Sequence, residues 1–227
     1  MSLFSLDISE ALYEIVIRAV VAFTALPVHE FAHGYVAYRL GDDTAKRMGR
    51  LTLNPFRHFD PLGTTAMILI GFGWARPVPI NASRFKHPKY GMALSALAGP
   101  AANFLLALLL MILYKGAFAI AAVHPKAVAA MTVAVNILAV MISINVALAV
   151  FNLLPVPPLD GSRVASMFLP EKWYFGLMRF ERVIFIALII VMYLGLLDKP
   201  LAAARIWMFR ALDWLTLPVD LVLGLRV

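Results

Sequence analysis

Long apolar stretches separated by short polar and basic loops set the pattern of this chain. Ile8 to Leu40 predicts one long helix or two abutting ones, interrupted at most by Pro27. Gly41-Asp42-Asp43 ends it, and Thr44 to Asp60 is a polar loop carrying Lys46, Arg47, Arg50 and Arg57. His58 and Asp60 lie there among Asn54, Pro55 and Pro61, a composition that reads as a surface turn. Met92 to about Val123 predicts a helix, and Val133 to Leu154 an uncharged span carrying Asn136, Asn145 and Asn152. Phe180 to Leu197 is barely long enough to cross a membrane. From Leu201 to Leu225 the charges Arg205, Arg210, Asp213 and Asp220 fall within about 140° of arc at helical spacing, which suits an interfacial helix and an inward-facing polar stripe equally.

Pro61 to Tyr90 breaks the pattern. Thr64 to Phe72 is apolar but too short to span, and Gly71, Gly73, Pro77 and Pro79 interrupt any helix. Trp74 to Ile80 alternates like an edge strand, so the segment predicts a short re-entrant β-hairpin, which serves either as a plain structural element or as an edge to which an unwound substrate adds as a further strand. The expected fold is an all-α polytopic membrane protein, a helical bundle of about five to six membrane segments with that hairpin.

Composition agrees with a membrane protein: 62% of the 227 residues are hydrophobic, 15% are charged and the mean hydropathy is +0.84, whereas soluble domains carry about a quarter charged residues. No stretch is long enough for a separate soluble domain, so residues 1–227 read as one membrane-embedded unit with accessory membrane segments over 180–227. The first apolar segment runs into the chemistry described below and so reads as retained rather than as a cleaved signal. The absence of cysteine removes disulfides, cysteine nucleophiles and thiolate metal sites. The net charge of +7 comes without a basic run interleaved with aromatics, which excludes a nucleic-acid partner and points to loops at a lipid bilayer. Lys and Arg concentrate in Arg39 to Asp60, Arg76 to Tyr90 and Pro155 to Arg182, and are sparse in Lys115 to Met131 and Asp198 to Pro200. By the positive-inside rule the first three are cytoplasmic, in a multi-pass protein of the cell membrane.

The chemistry sits in His29-Glu30-Phe31-Ala32-His33. Four-residue spacing puts both imidazoles on one helix face, where their nitrogens can share a zinc ion, and leaves Glu30 to take a proton from metal-bound water. Ionisable groups inside an apolar span are costly and mark function. Farther on, Pro155-Val156-Pro157-Pro158-Leu159-Asp160-Gly161 stops a helix and leaves Asp160 at a broken end, where open backbone can turn a carboxylate toward a metal. A transporter or ion pathway would use the same residue types, but no inverted repeat accompanies them, and the intact Glu30 argues against an inert relative that only binds membrane segments.

Three signatures together resemble the site-2 protease family of intramembrane zinc metalloproteases, in a compact form without a PDZ-like domain. They are the His29 to His33 motif, Gly99-Pro100-Ala101-Ala102-Asn103 in a later span, and Asn152-Leu153-Leu154-Pro155 leading to Leu159-Asp160-Gly161. The likeness covers about Ala22 to Arg163 and implies a peptidase core over 22–163. It implies one zinc per chain held by His29, His33 and Asp160, with Glu30 as the general base. It further implies Asn152, and less directly Asn103, as holders of the oxyanion or the substrate, and transmembrane proteins as substrates.

Overall fold

The computed structural model describes residues 8–70, 75–170, 176 and 179–225. Helix α1, Ile8–Arg39, runs unbroken through Pro27, whose ring is buried. A single turn α2, Thr44–Arg47, and the ten-residue α3, Pro61–Ile70, follow. Then come the long helices α4, Pro88–Val123, and α5, Val128–Asn152, which form an antiparallel hairpin turning at His124 to Ala127. After an irregular stretch, α6 is Asp160–Ala165, α7 Glu181–Tyr193, α8 Asp198–Leu215 and α9 Leu217–Leu223.

Three of these helices are long and apolar enough to cross a membrane: Ile15–Arg39 within α1, α4, and α5 with the turn before it. A fourth crossing is obtained if α7 and α8, bent by 87° at their break, count as one. The expectation of five to six membrane segments is therefore too high. α3 covers only about 15 Å, half the hydrocarbon thickness, and α7 with thirteen residues is likewise short.

The expected β-hairpin is not present: no strand forms among the described residues. Residues 71–74 lie outside them, and 75–81 is extended backbone without a ladder. Pro77 and Pro79 have no N–H to give, and several of the other amides and carbonyls are taken by side chains and loops. Arg76 N–H donates to the His58 carbonyl (2.9 Å), Arg50 donates to the Arg76 carbonyl (2.7 Å), Val78 N–H donates to Glu30 (2.8 Å) and Asn81 N–H to Asp42 (2.6 Å). The Val78 amide is thus engaged by Glu30, and the segment stands as extended backbone rather than as a strand of a hairpin.

α4 holds the centre of the bundle. Its Ala107 and Leu110 bury against Ile142, Val146 and Val150 of α5 and Leu212 of α8. On α4, Leu105, Leu109 and Leu113 recur every fourth residue and stay exposed, a stripe too apolar for a water-facing surface and suited to lipid. Lys115 is not a loop residue, as the charge count assumed, but a buried member of α4. Its Nζ lies 2.7 Å from Asp220 of α9 and 3.2 Å from Asp213 of α8, so the C-terminal helices are tied to α4 by charges that satisfy one another.

The loop beneath α1 is built just as specifically. Asp42, fully buried, accepts from the Thr44 amide and hydroxyl and from the Asn81 amide, which ties the end of α1 to the approach to α4. Burial alone would raise this carboxyl, but those bonds and the charge of Arg84 outweigh it and hold Asp42 below its ordinary value of 3.8. A carboxylate depressed in the folded state contributes stability that is present above 3.8 and is lost as pH falls through the folded value. Hydrogen exchange at the Asn81 amide is therefore expected to accelerate below that pH relative to an Asp42→Asn protein, in which this tie no longer titrates. Parallel profiles in the two proteins would show that Asp42 does not hold the loop.

Candidate metal centre

His29 and His33 fall one turn apart on α1, and both are buried. With about 1.5 Å of rise per residue, His33 lies roughly 9 Å inside the C-terminal end of the helix, so the pair sits within the apolar span but near one face. Their Nε2 atoms are 2.9 Å apart, and Oδ2 of Asp160 lies 3.2 Å from each. Asp160 reaches them because α5 stops at Asn152 and the Pro-rich stretch to Leu159 returns the chain to α1.

Two glycines allow this convergence. A Cβ on Gly99 of α4 would lie 2.5 Å from Cε1 of His29 and closer still to the His33 ring. The helix backbone therefore presses against both imidazoles. A Cβ on Gly161 would run into the backbone carbonyls of Leu153 and Leu154, so only glycine lets the residue after Asp160 nest on the end of α5.

The donor set fits a metal ion. Two imidazole nitrogens and one carboxylate oxygen form a buried triangle with sides of 2.9 to 3.2 Å, near the roughly 3.3 Å that donors at zinc bond lengths subtend in a tetrahedron. Nδ1 of His33 donates to the Ser95 carbonyl at 2.7 Å, which leaves its Nε2 lone pair for a ligand. Among the described residues these three are the one group of three or more His, Cys, Asp or Glu side chains so placed.

Glu30, adjacent in sequence, is half-buried and turned toward the extended segment, where Oε2 accepts from Val78 N–H at 2.8 Å. Gly34, one turn on, makes room for Val78: a Cβ there would lie 3.0 Å from Val78 Cγ1. The buried Arg50 guanidinium pins the same segment from its other side. Burial and the charge of Arg76 push Arg50 below its ordinary value, and the charge of Glu30 works against them. Asn152 ends α5, and its Nδ2 donates to the Leu148 carbonyl at 3.0 Å. Asn103 lies one turn beyond Gly99, fully buried, with neither amide atom partnered among the described residues. His58 is kept away from the metal group, but it is no surface residue. It is buried, with Nε2 bonded to the Thr52 carbonyl (2.8 Å), and Asp60 caps α3 through the Gly63 amide. Ser95 and Arg50 were not foreseen as parts of the centre, and Val78 was foreseen only within the extended segment, not as a donor to Glu30. Two of them act through backbone atoms, which leave no side-chain signal in a sequence.

Residues 114–196 match the family model "Peptidase family M50". The chain is 40% identical over 197 residues to "Putative zinc metalloprotease YwhC" of Bacillus subtilis, covering 85% of this chain and 84% of that protein. It is 34% identical over 142 residues to "Putative zinc metalloprotease Rip2" of Mycolicibacterium smegmatis, covering 60% of this chain and 51% of the relative. The Rip2 protein of Mycobacterium tuberculosis is 33% identical over 144 residues. No solved structure matches the chain significantly.

Proposed function

The chain belongs to peptidase family M50, the site-2 protease family of zinc metalloproteases, and on that premise we propose that His29, His33 and Asp160 hold its zinc while Glu30 is the general base of peptide hydrolysis. The convergence of two facing Nε2 atoms and one carboxylate inside an apolar helix pair carries this reading. Zinc in such a site supplies Lewis acidity, polarising a peptide carbonyl and making water acidic enough to lose a proton near neutral pH.

The side chains divide the remaining work. Val78 N–H fixes one oxygen of Glu30, leaving the other to take a proton from the attacking water as it adds to the scissile carbonyl carbon. As the C–N bond breaks, Glu30 returns that proton to the leaving amine. Asn152, the last residue of α5, turns its amide from Leu148 to the developing oxyanion. Arg50 and Asp42 keep the extended segment, and hence Val78, in place.

Substrates of this family are membrane proteins. Here the cut falls within or near a transmembrane segment, because the centre lies inside a span, and the cleavage serves regulated intramembrane proteolysis. The peptidase domain is 1–227, with its core at 22–163 and the helices of 180–227 as accessory membrane segments docked through Lys115. With Lys115 inside the bundle, the hairpin turn keeps Lys126 as its single Lys or Arg, against nine in the stretches Arg39 to Asp60 and Arg76 to Tyr90. The metal centre therefore faces the cytoplasmic side of the cell membrane. Cysteines introduced at Thr44 and Ser83 are expected to label from the cytoplasmic side and one at Val128 from the other; the reverse pattern would place the catalytic end on the wrong face.

Metal analysis tests the centre itself. About one zinc per chain is expected to copurify, and His29→Ala, His33→Ala or Asp160→Ala should each strip most of it, since a three-ligand site does not tolerate losing one. Full occupancy in Asp160→Ala would remove that residue from the ligand set.

A further inference from the structure

Among the buried polar atoms without a hydrogen-bond partner in the described residues, four follow one another along α1, α4 and α5: Nδ1 of His29, both Oδ1 and Nδ2 of Asn103, and Oδ1 of Asn145. In water such gaps are trivial. Between helices in a membrane they are costly, because no solvent completes the hydrogen bonds. Their chemistry is complementary. A His29 that offers Nε2 to a metal carries its proton on Nδ1, so the set holds two donors and two acceptors.

The helices bring these atoms together. α1 and α4 run antiparallel, so a turn back along α1 from His33 to His29 corresponds to a turn forward along α4 from Ser95 to Gly99. The Cβ position of Gly99 lies 2.5 Å from His29 Cε1, the ring carbon between Nδ1 and Nε2. Asn103 occupies the next turn on the same face, about 5–6 Å farther along, and helical side chains lean toward the N-terminus, here back over Gly99. On its other flank, Ala107 and Leu110 of α4 pack with Ile142 and Val146 of α5 in the antiparallel hairpin, which brings Asn145 to within about a turn of Asn103 in depth. Both are fully buried. Asn145 Nδ2 already donates to the Met141 carbonyl at 2.9 Å, so what Asn145 lacks is a donor for its Oδ1.

We infer that Asn103 is the positioning residue for His29: its Oδ1 accepts the His29 Nδ1–H, directly or across one water molecule, while its Nδ2–H is donated to Oδ1 of Asn145. The two imidazoles are then held alike, His33 by the backbone of Ser95 and His29 by a side chain one turn beyond Gly99. The line from His29 through Asn103 and Asn145 to the Met141 carbonyl closes every open donor and acceptor in the set. This rests on the reading of His29 as a metal ligand, and it gives Asn103 a place behind the ligand, out of contact with substrate.

The test is zinc affinity, measured on the full-length protein by competition with a chelator. Asn103→Leu keeps the side-chain shape and removes the acceptor; it is expected to weaken zinc binding about 10–100-fold, as losses behind a metal ligand do. Asn103→Asp keeps an oxygen facing His29 and is expected to bind zinc more tightly than the Leu variant. Asn145→Leu should shift affinity in the same direction as Asn103→Leu and by less. In cobalt-loaded protein the ligand-field absorption should change in Asn103→Leu. A purely structural amide predicts the opposite order, with apolar Leu tolerated in the bundle and buried Asp not, and that order would overturn the inference. So would unchanged zinc affinity in Asn103→Leu. Retention of zinc by His29→Ala would instead overturn the ligand assignment beneath it, so the two failures are told apart.

Discussion

Glu30→Gln is expected to lower the turnover of peptide hydrolysis by at least roughly 10²- to 10⁴-fold, the usual contribution of a positioned general base, while the protein keeps its fold and its zinc. The amide of Gln is isosteric with the carboxylate and its oxygen can still accept from Val78 N–H, so the contact at 2.8 Å survives the change. What it cannot do is hold a proton from water and pass it to the leaving nitrogen. The side chains placed to hold a metal are His29, His33 and Asp160, and none of these is altered. Zinc content by metal analysis and cleavage of a membrane-embedded substrate, measured on the same preparation, separate the two roles. Loss of zinc together with activity would make Glu30 a ligand or a structural support, and undiminished turnover would end the general-base assignment.

Much of this centre was legible in the sequence, for a reason specific to helices. Residues four apart share a face whatever the rest of the fold does, so His29 and His33 announce their pairing, and charged groups within an apolar run announce that something compensates their burial. Asp160 was legible as a carboxylate after a helix stop, though its approach to the histidines depends on Gly161 fitting against the Leu153 and Leu154 carbonyls. Other features were hidden because they exist only between elements. The alternation from Trp74 to Ile80 suggested a strand, yet an alternating run becomes one only if another backbone pairs with it. Here Glu30, Arg50 and Asp42 supplied the partners instead. Lys115 looked like a loop charge because no sequence rule places Asp220 beside it more than a hundred residues later. Asp42 looked like the polar end of a helix, and it is a buried hub.

Adding one methyl group at either glycine of the centre is expected to cost the protein its metal. In Gly161→Ala the new Cβ overlaps the carbonyls of Leu153 and Leu154. Backbone cannot rotate out of the way as a side chain can, so the start of α6 must lift from the end of α5. Asp160 immediately precedes the glycine, and its Oδ2 sits 3.2 Å from both imidazoles. A shift of about an ångström is enough to spoil such a constellation. Gly99→Ala acts from the opposite side: the methyl would press on the His29 and His33 rings, which are buried and, for His33, tied to Ser95. Overpacking of this kind costs about 1–3 kcal/mol, and here the groups that must yield are the proposed ligands themselves. Both variants should therefore show at least about tenfold weaker zinc binding and a matching loss of hydrolysis. Gly116→Ala, also on α4 but with open space around its Cβ position, serves as the control and is expected to change neither. If Gly99→Ala bound zinc as tightly as that control, α1 and α4 would have room to part at the histidines, and the close approach of the two helices would not be what holds the ligands in place.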